Sequence, residues 1–482
     1  MSDNLFKKFI SFSYGSWIGL IIGFLGTMLT TRILLPEDFG RTSMFTLALN
    51  ISVVFIIFGT DQSFVRFFYE EKEENRSGLL YNCLDIPLVI TLIIAIIILV
   101  FRNKVSILLF EEENFTAIIM LVIGIVFQVI YRYAGLVIRM QQKGNLYSIL
   151  EILYRTLSVV TLLVLYFIMG SSYEIIIYST VINLIILSTY AIFHERRFWN
   201  LRNRKNEKLI HSKRDIFDFG TPLVLTMLIT WLFQSFDKIA IRYWSSFDEL
   251  GLYAAAFKII AFVSILQGTF STFWIPVAYE KFDKEPENKN FFEKMCRIIT
   301  FAMLLVAVLS IAGKDIIVFL LGKEYRQAAN IMPFLVFMPI MYTISETTVL
   351  GINFFKKPKW HVLIASTSCI VNILGNWVLV PQYGAIGASI STAFSYVIFF
   401  TMRTKISLIY YKLNYGLKKL YLMLLVVSMY AMFSVFTASV YLNILMGVAI
   451  TFVLLIVYKN DLLKGYVYIK KQEVFAKYLA RR

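Results

Sequence analysis

Charge is scarce in this chain: only 16% of its 482 residues are Asp, Glu, Lys or Arg, whereas 58% are hydrophobic and the mean hydropathy is +0.70. A water-facing surface needs far more charge than this, which excludes a soluble globular protein. Cysteine and histidine are equally sparse, three of each. Cys83, Cys296 and Cys369 sit in or beside apolar runs with no pairing or ligand spacing, so neither a disulfide framework nor a metal site is expected. His194, His211 and His361 fall outside the apolar spans, and no Gly-rich phosphate loop is present, so the sequence predicts no catalytic constellation and no cofactor. Alternating strand patterns are missing too. Runs such as Ile86 to Phe101 are continuously apolar, which excludes a β-barrel.

What is present is a series of apolar stretches of roughly 20 residues, each long enough as a helix to cross about 30 Å of hydrocarbon. Spans are predicted to begin near Ile10, Arg41, Tyr81, Phe115, Tyr147, Tyr173, Phe217, Leu250, Lys294, Gln327, His361, Gly384, Leu417 and Leu442. The first is too long for a signal h-region and lacks a small-x-small cleavage site, so it reads as a retained span. The net charge of +16 is explained by topology. With the N-terminus in the cytoplasm, most Lys and Arg fall in cytoplasmic segments, above all Arg196 to Arg214, Arg403 to Lys419 and Lys459 to Arg482. That places both termini in the cytoplasm and makes anionic lipid, rather than nucleic acid, the partner of the basic surface.

The chain also echoes itself. Tyr14-Gly15, Arg32, Gly40 and Tyr69-Glu70 recur as Phe219-Gly220, Arg242, Gly251 and Tyr279-Glu280, and Lys143 to Tyr147 recurs as Lys357 to His361. Six spans separate the copies, so the halves share an orientation, as in parallel-repeat transporters. The predicted fold class is an all-α membrane protein of about 14 transmembrane helices: two six-helix lobes related by a parallel repeat, plus two extra C-terminal helices. The predicted domains are lobes over 1–193 and 217–410, a basic linker over 194–216, two added helices over 411–458 and a basic tail over 459–482.

Ionisable residues inside spans are costly and mark functional candidates. Arg66, Arg132 and Arg155 lie at comparable depth in the first half, and Lys238 and Lys258 in the second. A cationic lining suits an anionic substrate, because guanidinium groups bind phosphate oxygens bidentately. Structural readings compete: Glu151 and Arg155 are four apart and can pair, and Arg66 and Lys238 are near enough to a surface to snorkel. Arg132 has no acid within a helical turn, so its partner must come from another helix or a ligand. Glu346 likewise lacks a local cation, and with Asp237 and Glu151 it is a candidate for ion coupling. Pro276, Pro333 and Pro339 are candidate hinges, or static kinks.

The segments Thr31-Arg-Ile-Leu-Leu-Pro-Glu-Asp-Phe-Gly40, Gly59-Thr-Asp-Gln-Ser-Phe-Val-Arg66, Phe236-Asp-Lys238, Glu249 to Ala254 and Tyr383 to Ala388 resemble, in order and spacing, the oligosaccharide flippases of bacterial polysaccharide synthesis. Their superfamily also contains multidrug and lipid II exporters. The resemblance implies two six-helix lobes in a V that move a polyprenyl-diphosphate-linked oligosaccharide across the inner membrane for O-antigen, capsule or similar polysaccharide, not an enzyme. It implies a cationic lumen corresponding to Arg66, Arg132, Arg155, Lys238 and Lys258, and a polysaccharide polymerase and chain-length proteins as partners. It leaves the driving force to a proton, another ion gradient or the membrane potential. Two rival readings are an ion-coupled exporter of organic cations, which the basic lumen disfavours, and a membrane glycosyltransferase or polymerase. The latter would need acidic catalytic residues on an outer loop, where Glu111, Glu112 and Glu113 form the only cluster.

Overall fold

A computed structural model describes the backbone of residues 2–200 and 209–479, with side chains for 11, 14–200 and 209–463. Part of the basic linker, residues 201–208, and most side chains of the basic tail thus lie outside what is described. Among the described residues the regular elements are all helical. Thirteen helices are long and apolar enough to cross a membrane. One of them, Lys359–Tyr410, has 52 residues and breaks at Gly384 (φ 53°, ψ −131°). Unbroken it would run about 78 Å, far more than one crossing needs. Its halves instead fold back side by side, with Ser391 Oγ donating to the Asn372 carbonyl at 2.9 Å. Counted as two spans, it brings the total to the fourteen expected.

The first half comprises α1 (Ser2–Ile33), α2 (Pro36–Ile57), α3 (Thr60–Phe67), α4 (Arg76–Val100), α5 (Arg102–Phe110), α6 (Phe115–Met140), α7 (Gly144–Met169) and α8 (Glu174–His194). The second comprises α9 (Lys213–Trp244), α10 (Phe247–Lys284), α11 (Lys289–Ala312), α12 (Lys314–Phe319), α13 (Ala328–Leu335), α14 (Phe337–Thr348), α15 (Leu350–Phe354), α16 (Lys359–Tyr410), α17 (Leu417–Phe436) and α18 (Val440–Leu479). Two compact units emerge, Met1–Lys238 with Phe247–Gly251, and Ile239–Ser246 with Leu252–Arg482.

In the first unit α1 lies along α7. Lipid offers no hydrophobic drive for helices to associate, so close packing by small residues takes over. Gly15, Gly19, Gly23 and Gly26 supply it. A methyl at Gly15 would lie 2.4 Å from Ser148 Cα, and the Gly15 N–H donates to Ser148 Oγ at 3.2 Å. Span 2 is interrupted where Phe58 (φ 48°) and Gly59 (φ 76°) adopt left-handed backbone, so α3 starts afresh. Gly59 meets Gly220 backbone to backbone, where a methyl would come within 2.2 Å of the Gly220 carbonyl oxygen. Ser63 Oγ donates to the Ile216 carbonyl at 2.6 Å.

In the second unit α18 packs on α11, held by Asn443 Nδ2 donating to the Ile311 carbonyl at 2.9 Å. Buried Lys314 ties α12 to α13 and α17 through Asn330 Oδ1 at 3.0 Å and the Ser434 carbonyl at 2.7 Å. Pro333 and Pro339 are buried and flank the break at Val336 between α13 and α14; Pro339 has no N–H to offer the Leu335 carbonyl. Pro276 lies inside α10, exposed, without breaking the helix.

The second sequence echo has a backbone counterpart. After α6, Gln142 (φ 57°) precedes Lys143, whose N–H reaches back to the Ile138 carbonyl at 3.2 Å; after α15, Lys356 (φ 52°) precedes Lys357, whose N–H reaches the Ile352 carbonyl at 2.9 Å. Both are helix endings with the penultimate turn closed by a six-residue bond and a non-glycine residue in the left-handed position.

Candidate functional site

The α6 sequence sets Gln128, Arg132, Gly135 and Arg139 at spacings of four, three and four, which puts them on one helix face. Tyr147 and Glu151 of α7 share a face in the same way. These six residues line a cavity of about 200 Å³. A methyl at Gly135 would meet nothing within 4 Å, so the space over this glycine is open rather than packed.

Arg132 finds its acid on another element, as its sequence neighbourhood requires. Its guanidinium donates to Asp61 Oδ2 of α3 at 2.8 Å. Asp61 is 2% exposed and also accepts the Gln62 N–H at 2.8 Å, whereas the Arg132 side chain is 49% exposed. One edge of the guanidinium is therefore anchored in protein while the rest stays open to the cavity. The next residue on each element repeats the link: Thr60 Oγ1 and the Tyr133 hydroxyl, both buried, hydrogen bond at 2.7 Å. Breaking span 2 at Phe58–Gly59 is what turns Thr60 and Asp61 toward α6.

The other candidates separate. Glu151 lines the cavity with Arg132, and among the described residues no ion pair joins it to Arg155. Arg155 is exposed on α7 and lays its stem over Gly19 and Gly23, with its guanidinium 5.8 Å from the Tyr154 ring. Arg66 pairs with Glu70 one turn away, and Glu70 also meets His211 Nε2 at 2.9 Å. Asp237 is buried and Lys238 half-buried on α9, while Lys258 is exposed on α10; none of them lines the α6–α7 cavity.

Glu346, 5% exposed, has the cation its own helix lacks. Arg403 of α16 meets its Oε1 at 3.0 Å and donates to Ser345 Oγ at 2.6 Å, with Tyr342 and Phe399 rings 5.4 and 5.1 Å from the guanidinium. The carboxylate without a local cation thus joins α14 to α16. Arg139, Asp61 and Arg403 were not among the residues expected from sequence. Arg139 carries a signal, since it follows Arg132 by two turns on one face. Asp61 and Arg403 carry none, because their partners are 71 and 57 residues away.

Residues 5–281 match the family described as polysaccharide biosynthesis protein. An uncharacterized membrane protein of Methanocaldococcus jannaschii is 20% identical over 373 residues, 72% of this chain and 73% of that one. Among solved structures, the fold is similar to the lipid II flippase MurJ in an inward closed conformation, with TM-score 0.67 and 15% identity over 94% of this chain and 99% of that one. It is also similar to an inward-facing multidrug resistance MATE family transporter of the MOP superfamily, with TM-score 0.60 and 12% identity over 82% and 94%. The all-helical architecture is thus shared with flippase and exporter structures, and the match over more than half its length makes the chain a member of the polysaccharide biosynthesis protein family.

Proposed function

We propose that this protein is a flippase carrying a polyprenyl-diphosphate-linked oligosaccharide from the cytoplasmic to the outer leaflet of a bacterial inner membrane, for O-antigen, capsule or similar surface polysaccharide. The observation that carries the reading is the α6–α7 cavity, where Arg132 and Arg139 outnumber the single carboxylate of Glu151. Guanidinium groups beside open space in a low-dielectric surround favour a phosphate-bearing head group. The exposed edge of Arg132 can bind it while Asp61 holds the other edge. In this reading Arg132 and Arg139 meet the diphosphate, and Arg66, Arg155, Lys238 and Lys258 contribute at most long-range potential.

The protein works as a carrier without catalysis, with both termini cytoplasmic. Its six-helix lobes over 1–193 and 217–410 alternate between openings at the two faces, and the helices over 411–458 are additions. Of the acids considered for coupling, Glu151 is the best placed, because it shares the cavity with Arg132 and Arg139, whereas Glu346 already has Arg403. A polysaccharide polymerase and chain-length proteins would take up the delivered substrate. Cells lacking the protein should lose surface polysaccharide and accumulate lipid-linked oligosaccharide in the cytoplasmic leaflet, with drug sensitivity unchanged. Sensitivity to organic cations with surface polysaccharide intact would instead establish a multidrug exporter.

A further inference from the structure

The turn between α15 and α16 carries Lys356, Lys357 and Lys359, all exposed, and with Trp360 and Leu363 they line a groove of about 640 Å³. Their placement is set by the backbone. Lys356 holds a left-handed conformation that glycine usually takes, fixed by its N–H to the Asn353 carbonyl at 3.1 Å and the Lys357 N–H to the Ile352 carbonyl at 2.9 Å. Lys359 opens α16, where the helix dipole disfavours a cation. Among the described residues no carboxylate pairs with any of the three; Lys357 has only the Tyr410 ring, 6.0 Å from its Nζ, so the three charges are not neutralised within the protein.

The equivalent turn of the first half offers the contrast. There Lys143 contacts both carboxylate oxygens of Glu195, at 2.6 and 2.7 Å, and its counter-charge is built in. At the second turn the counter-charge must come from outside. Two further features say what kind of molecule brings it. Trp360 is held with its Nε1 donating to the Tyr410 hydroxyl at 2.8 Å, the posture of an interfacial anchor with one wet edge and one apolar face. From Leu363 an outward apolar stripe continues along α16 through Ile370, Leu374 and Trp377, each about half exposed. A soluble anion has no use for that stripe, whereas acyl chains do.

We infer that the α15–α16 turn is a binding site for an anionic phospholipid, its phosphate among Lys356, Lys357 and Lys359 and its chains along the Leu363–Trp377 face. The site is separate from the α6–α7 cavity and stands whatever that cavity carries.

The test uses full-length protein in phosphatidylcholine nanodiscs doped with nitroxide-labelled phosphatidylglycerol or nitroxide-labelled phosphatidylcholine, with Trp360 fluorescence isolated by subtracting the W360F variant. The glycerol lipid should quench Trp360 at about tenfold lower mole fraction than the choline lipid, since each basic residue near a charged lipid surface contributes substantially. The K356Q/K357Q/K359Q variant should lose this preference, the arginine triple variant should keep it, and inorganic phosphate should not abolish it beyond chloride of equal ionic strength. Equal quenching of Trp360 by both lipids in the protein with all three lysines intact would overturn the proposal, and needs none of the lysine variants to fold. Persistence of the preference in the glutamine triple would also overturn it, and competition by inorganic phosphate would make the groove a soluble-anion site.

Discussion

Gly40 and Gly251 face each other reciprocally: a methyl on Gly40 would lie 2.2 Å from the Phe247 carbonyl oxygen, and one on Gly251 would lie 1.8 Å from that of Pro36. Each glycine thus meets the carbonyl four residues before the other, so neither backbone has room for a side chain. The two are equivalent positions of the sequence repeat. Arg41, beside Gly40, lies 5.6 Å from the Phe247 ring across the same contact, while its Nε donates to the Phe110 carbonyl of α5 at 3.0 Å.

Alanine at either glycine must push these backbones apart. Gly251→Ala is expected to destabilise the packing of Phe247–Gly251 on α2 by about 1–3 kcal/mol, the usual range for overpacking. Thermal unfolding of the detergent-solubilised protein measures it, and an unchanged midpoint would show that the contact is not maintained in solution.

Arg132→Gln leaves the buried Asp61 carboxylate without its charged donor and should cost about 1–3 kcal/mol. The D61N/R132Q double variant should lose less than the sum of the single changes, because the two act as a pair. A double-mutant cycle on thermal stability distinguishes this from two independent losses.

Glu346 and Arg403 are both nearly buried, so removing one strands the other. Glu346→Ala or Arg403→Ala should destabilise by about 3–5 kcal/mol, whereas replacing both with methionine should be nearly neutral. If E346A is instead as stable as the parent protein, the pair has no structural role and the coupling role regains ground.

The Lys143–Glu195 pair predicts a pH dependence. Burial alone would raise the Glu195 carboxyl, but hydrogen bonds from Lys143 and His194 and the Lys143 charge hold it below its ordinary 4.5. A depressed native pKa adds stability above the ordinary value, and that contribution is lost as pH falls below 4.5 through the lowered native value. Lys143→Gln should lower the thermal midpoint at neutral pH and flatten its decline in that acid window. Parallel curves for the two proteins would count against the pair.

Local chemistry was legible in the sequence and distant pairing was not. Hydropathy located the spans closely, with α6 starting at Phe115 and α17 at Leu417 as read. The close α1–α7 contact at Gly15, Gly19, Gly23 and Gly26 was not read from the sequence, although a run of glycines at helical spacing carries that signal. The absence of an acid near Arg132 correctly demanded a partner elsewhere. Which acid met Arg132, or which cation met Glu346, depended on helices brought together by folding, and no periodicity encodes that. The break at Phe58 was equally hidden, because a phenylalanine in left-handed backbone has no signature in composition. The Glu151–Arg155 spacing suggested a pair, yet the α1 glycines give the Arg155 stem a seat of its own.

The most direct test exploits the open space over Gly135. A methyl there meets nothing within 4 Å, so leucine is expected to extend into the α6–α7 cavity, and replacing a mid-helix glycine should leave the fold as stable or more so by about 0.5–1 kcal/mol. In vesicles reconstituted with a fluorescent polyprenyl-diphosphate oligosaccharide, leaflet accessibility of the label reports flipping. The account predicts that the parent protein equilibrates the label across the bilayer and that G135L, equally stable, loses most of this activity. Flipping by G135L at the parent rate, or no flipping by the parent protein above protein-free vesicles, would contradict it.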